Sequence, residues 1–191
     1  MNDATDNVLG DGLVFEAALP LRWRAPDSAS EEGSVQAIHR RSLEFLHTLL
    51  AFGEHLAEPM EEEPGHRGAE LVRIDAKLNL LLDLVGRFLV HQQALPAPVP
   101  VRLGARGLEW TERNGPSSDT GELLVDLFLD AEIPRPLELL TRVRSRKVGA
   151  DGLVTVQVHF ELLDEALKDA LERYIFREHR RSIARQRRAI P

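Results

Sequence analysis

Arginine has the widest chemical reach of any residue type in this chain. Arg142, Arg144 and Arg146 alternate along "LTRVRSRKV" and, at the two-residue period of a strand, share one face opposite Val143. Three guanidinium forks on one face make a candidate anion or partner patch, and the plainer reading is a solvated strand face. His39, His47 and His55 recur every eight residues. On a helix that places them about 12 Å apart, too far to share a metal ion within one chain, and they are read as flanking or exposed positions. The chain has no cysteine, which excludes disulfides, thiolate metal sites and cysteine nucleophiles. HExxH, GxSxG, GxGxxG and the phosphate-loop motif are all absent, and no carboxylate pair stands out from the general acidity. Neither an enzyme nor a metal protein is expected.

The charge pattern narrows the field further. The net charge is −7, but from Arg173 onward seven arginines stand against the single Glu178, leaving about −13 on the other 172 residues. Duplex affinity comes mainly from neutralised phosphates, so a general nucleic-acid binder is not expected. The basic end reads as a solvated helix terminus whose arginines favour the negative end of the helix dipole, with an acidic partner as the alternative. The start, "MNDATDNVLGDG", lacks the basic and apolar regions of a secretion signal, so a cytoplasmic protein is expected.

The elements that position these residues change period at Pro100. Leu13–Trp23, broken by Pro20, suits a strand at a sheet edge, and "RAPDSASEEGS" is a linker. One helix is predicted from Ser34 to about Glu58 and a second from about Ala69 to Gln92, ended by "ALPAPVP". Beyond Pro100, "VRLGARGLEWTER", "ELLVDLFLD", "LELLTRVRSRKV" and "LVTVQVHFELL" alternate as strands, the last two joined by the Asp151-Gly152 turn. Val154, Val156, Val158 and Phe160 share one face, with Thr155, Gln157 and His159 on the other. A final helix runs from Asp164 towards Arg188 with Leu167, Leu171, Tyr174 and Ile175 as its apolar stripe.

Both central helices carry a heptad seam. The first reads Val35, Ile38, Ser42, Phe45, Leu49, Phe52 and Leu56; the second reads Leu71, Ile74, Leu78, Leu81, Val85 and Phe88. Asp75, Lys77, Asp83 and Arg87 lie inside the second run, which excludes a membrane span. About 22 residues per helix give about 33 Å, longer than one side of a small barrel, so the helices are expected to project and find copies of themselves. The added apolar width of the second helix, through Leu80, Leu82, Leu84 and Leu89, favours a bundle of more than two helices. The alternative is that both helices lie on their own barrel.

"LGARGLEW", "GELLVDLFLDAEIPRPLELLTRVRSR" and "GLVTVQVHFELLDEALKDALERYIFREHRR" resemble a PilZ domain, the small β-barrel whose usual members bind cyclic di-GMP. With heptad helices ahead of the barrel, the chain resembles the atypical, tetrameric PilZ subfamily. The resemblance implies an α+β fold: a small antiparallel barrel preceded by two long heptad-patterned helices and followed by a C-terminal helix. It implies three regions: 1–33, a strand and linker joining the barrel; 34–95, a helical pair for oligomerisation; and 96–191, the barrel with its final helix. The family's binding motifs, an RxxxR arm and a strand motif of the form Asp/Asn-x-Ser-x-x-Gly, are altered here. Aligning Gly107 with the motif's glycine puts Arg102 at the Asp/Asn position and Gly104 at the serine position. Arg22 and Arg24 are the only candidate arm basics, and they are two residues apart. The expectation is a non-enzymatic adaptor, homo-oligomeric and tetrameric, meeting a protein partner in a surface-behaviour pathway such as pilus function, motility or virulence. No cofactor and no conventional cyclic di-GMP binding are expected. The alternative is a receptor with a non-standard site using Arg102, Arg106 or the Arg142–Arg146 strand.

Overall fold

Apolar and polar residues alternate through the second half of the chain, and that alternation closes a barrel. The computed structural model describes residues 8–26, 32–55, 74, 77–78, 95–117, 119–130, 133 and 135–188. Its strands are β1 (Phe15–Arg24), β2 (Pro98–Leu103), β3 (Gly107–Glu112), β4 (Glu122–Leu127), β5 (Leu137–Val148) and β6 (Val154–Phe160); two helices, α1 (Glu32–His55) and α2 (Glu165–Arg188), pack against them. The strands close in the order β1-β2-β3-β6-β5-β4 with every pair antiparallel. β6 follows the pattern read from the sequence: Val154, Val156, Val158 and Phe160 are buried and the residues between them are half-buried. Burying such side chains stabilises the fold by about 1.5–3 kcal/mol each.

β1 departs from the expectation of an edge strand. It is paired on both sides, with β2 along Phe15–Pro20 and with β4 along Leu21–Arg24. Pro20 sits where the partner changes and needs no donor there: its carbonyl accepts the Phe128 N–H at 3.0 Å. The β5–β6 turn has Gly152 at φ 76°, with the Asp151 carboxylate accepting the Leu153 N–H at 3.0 Å. At the end of β3, both tryptophans of the chain donate to one oxygen of Glu112, Trp110 at 2.6 Å and Trp23 at 2.8 Å.

α2 begins with Asp164 as its cap, whose carboxylate accepts the Leu167 N–H at 2.7 Å. Its stripe of Leu167, Leu171, Tyr174 and Ile175 is buried, as the sequence implied.

α1 corrects the oligomer reading of the first heptad seam. Ile38, Phe45 and Leu49 are buried within the single chain, together with Leu46, so they are not available to a second copy; Val35 is half-buried. A helix of this length is covered because the barrel does not act alone: α2 lies beside α1 and shares the task. Ser42 shows how α1 is seated. Glu138 lies where β5 runs on past the end of β6. The Ser42 hydroxyl accepts the Glu138 N–H at 3.1 Å and donates to the Glu138 carbonyl at 2.8 Å, standing in for the missing strand. α1 therefore packs on the barrel within the single chain.

The second seam behaves differently. Ile74 and Leu78 are helical and each is 54 % exposed, while Leu56, Leu71, Leu81, Val85 and Phe88, and the side chain of Phe52, lie outside the described residues. No helix among the described residues is long and apolar enough to cross a membrane.

Candidate functional site

The tight turn between β2 and β3, Leu103–Gly107, meets an arm formed by residues 8–14. Gly104 and Gly107 make that meeting possible. A Cβ on Gly104 would run into the Leu9 carbonyl, and one on Gly107 would run into the carbonyls of Val8 and Val158. The turn closes on itself through Gly104 N–H to Gly107 O at 3.0 Å. Leu9 and Gly10 are buried, and Gly10 takes φ 85°, which brings it against the Arg106 side chain. The two glycines singled out in the sequence are thus brought together, and this chain's own backbone lies on them.

Beside this contact is an open cavity of about 600 Å³ bounded by the arm, the turn and α2, with Leu13, Arg106, Lys168, Arg173 and Phe176 among its walls. The side chains of Arg106 and Arg173 make no hydrogen bond or ion pair to any described residue.

Arg102 is placed elsewhere and is engaged. Its guanidinium donates to Glu109 at 3.1 Å and to Glu16 at 3.0 Å, and these bonds, Glu109's first, hold it charged still more firmly than an ordinary arginine. A phosphate would have to displace two carboxylates to use it.

The arginine face of β5 needs correction. A bulge between Val143 and Ser145 interrupts the register, so Arg142 stands opposite His159 while Arg146 stands opposite Val156. His159 and Val156 lie on opposite faces of β6, which separates Arg142 from Arg146. Arg142 donates to Glu161 at 2.9 Å and Glu122 at 2.8 Å; Arg146 donates to the Pro116 carbonyl at 2.8 Å; Arg144 is the exposed residue at the bulge. The three do not form one patch.

The candidate arm basics sit in β1, where Arg22 pairs with the buried Asp126 at 2.9 Å. Arg177 and Arg181 on α2 are engaged as well: Arg177 donates to the Leu49 and Leu50 carbonyls of α1, and Glu178 binds both arginines. With His39 beside Asp164 at the start of α2, this fixes α1 and α2 running in the same direction. Burial pushes the pKa of His39 below its ordinary value, with the nearby Asp164 charge opposing. His39 is therefore a core residue rather than a flanking one; His47 is exposed as expected. Among the described residues no cluster of three metal-ligating side chains occurs. The sequence reading missed Leu13, Phe176 and the arm. The signal available was "LGDG", a glycine-rich approach to the first strand.

The closed six-stranded antiparallel barrel with its two packed helices is a PilZ-type fold. Residues 46–188 match the family described as atypical PilZ domain, cyclic di-GMP receptor, and the chain belongs to that family. A solved structure of a pathogenic protein from Xanthomonas campestris, described as a tetrameric PilZ domain self-assembled via an unusual helical bundle, is similar at 29 % identity and a TM-score of 0.73. The likeness covers 95 % of this chain and 96 % of that one. No curated protein matches the chain.

Proposed function

We propose that this chain is a non-enzymatic adaptor in cyclic di-GMP-related regulation, assembled as a tetramer through the second heptad seam, that of Ile74 and Leu78, and acting in the cytoplasm through protein contacts. It does not take cyclic di-GMP in the way the usual motifs do. The observation that carries this reading is the state of the motif positions. Arg102 is tied between Glu16 and Glu109, and the backbone of Val8 and Leu9 rests on Gly107 and Gly104. Tetramer formation draws support from the exposed Ile74 and Leu78 and from the helical bundle of the Xanthomonas campestris relative. That relative's description as pathogenic supports a virulence setting, alongside pilus function or motility.

Isothermal titration of the purified chain with cyclic di-GMP tests the reading. The expected result is no binding tighter than about 100 μM, equivalent to about 5.5 kcal/mol. A low-micromolar curve overturns it in favour of a receptor with a non-standard site. For that second reading the favourable observation is Arg106, which borders the cavity with its guanidinium free of described partners. Arg102 and Arg142 do not help it, since each is held by two carboxylates.

A further inference from the structure

We propose that the groove between the N-terminal arm and α2, continued along the outer face of α2, docks an acidic amphipathic segment of a partner protein. This rests on reading the chain as an adaptor and specifies the chemistry of its contact. Leu13 and Phe176 line the groove at 41 % and 52 % exposed, and Ile183 on the same helix is 37 % exposed. Phe176 and Ile183 are two helical turns apart, about 10.5 Å, the spacing at which an amphipathic segment presents successive apolar side chains. Large apolar groups left in water along one line are what such a partner covers.

The charges around this line choose the partner's sign. Arg106 and Arg173 border the groove without side-chain partners among the described residues, Lys168 has only the weak contact to Glu165 at 4.0 Å, and Arg180 stacks over the Phe176 ring at 5.8 Å. Of the exposed guanidiniums elsewhere, those of Arg22, Arg41, Arg102 and Arg142 are held by carboxylates, and Arg24, Arg40, Arg113 and Arg144 lie outside the groove's lining. Asp11 and Glu172 also border the groove, so its rim carries three cations against two carboxylates. A compact phosphate dianion would meet those carboxylates at close range. Single carboxylates spaced along a peptide can alternate with them and reach the cations instead. The complement is a segment with Leu or Phe at helical spacing, flanked by Asp and Glu.

The test is selection of a displayed library of helix-forming peptides, about 16 residues or roughly 24 Å of helix, on the immobilised full chain. Selected peptides are then measured by fluorescence anisotropy. The expected winners carry Asp or Glu beside apolar residues three and four apart. Phe176→Ala and Arg173→Glu each weaken them by about tenfold or more, and binding falls with added salt. Light scattering is expected to give the same mass for both variants as for the wild type. Basic or uncharged winners, or affinities indifferent to both variants, overturn the proposal. Displacement of the peptides by cyclic di-GMP would make the groove a nucleotide site, and a changed mass would make this face a contact between copies; either result overturns it too. A chain that bound cyclic di-GMP elsewhere and still selected acidic peptides here would lose the adaptor reading and keep this one.

Discussion

Replacing Ser42 by leucine separates two accounts of α1 that the heptad pattern alone cannot distinguish. If α1 faced another subunit, leucine at a seam position would add apolar contact and strengthen the assembly. In this structure Ser42 is 1 % exposed and serves the Glu138 N–H and carbonyl at 3.1 and 2.8 Å. Losing the hydroxyl strands two buried backbone groups at about 1–3 kcal/mol each, and the larger side chain adds about 1–3 kcal/mol of overpacking. Allowing for relaxation, Ser42→Leu destabilises the fold by roughly 3–6 kcal/mol and Ser42→Ala by roughly 2–4 kcal/mol. Urea unfolding followed by circular dichroism and tryptophan fluorescence reads this directly. With a slope of about 1–3 kcal/mol per molar urea, the leucine variant's midpoint drops by more than about 1 M. A midpoint unchanged or raised for Ser42→Leu would refute the docking of α1 on β5.

Three further outcomes follow from the same contacts. Glu112→Ala removes the acceptor shared by Trp23 and Trp110; a loss of about 2–3 kcal/mol and a shifted tryptophan emission are expected, with Glu112→Gln retaining part of both. Gly104→Ala puts a methyl into the Leu9 carbonyl, so limited proteolysis is expected to cut the arm sooner while the barrel's circular dichroism persists. His39, whose pKa in the folded state lies below its ordinary 6.5, takes up its proton more readily when unfolded. Stability therefore falls as pH drops through 6.5 towards the folded value, by up to about 1.4 kcal/mol per pH unit, and His39→Gln is expected to flatten that part of the urea-midpoint profile.

The barrel was legible because strand period is a local property. Val154–Phe160 and Leu137–Val148 show their alternation without reference to any other segment, and the Asp151-Gly152 turn joins them. The stripe on α2 is local in the same way. What covers a helical stripe is not local: Ile38, Phe45 and Leu49 repeat as a coiled-coil seam does, yet all three are buried within the single chain, where α1 packs on β5 and α2. Ser42 was the available sign, a polar residue at a core position that needs a hydrogen-bonding neighbour. The split of Arg142 from Arg146 arises at a bulge whose residues, Val143 to Ser145, include no glycine or proline to announce it. The arm's seat on Gly104 and Gly107 joins residues about a hundred positions apart, which spacing cannot show.

Light scattering of the wild type and of Leu78→Asp tests the assembly most directly. Leu78 is 54 % exposed in the single chain, so a charge there costs the isolated chain little, whereas in a desolvated seam an uncompensated charge costs several kcal/mol. The account predicts a tetrameric wild type, a variant reduced to monomer or dimer, and strand circular dichroism retained in both. A wild type that scatters as a monomer, or a Leu78→Asp variant that remains a tetramer, would contradict it.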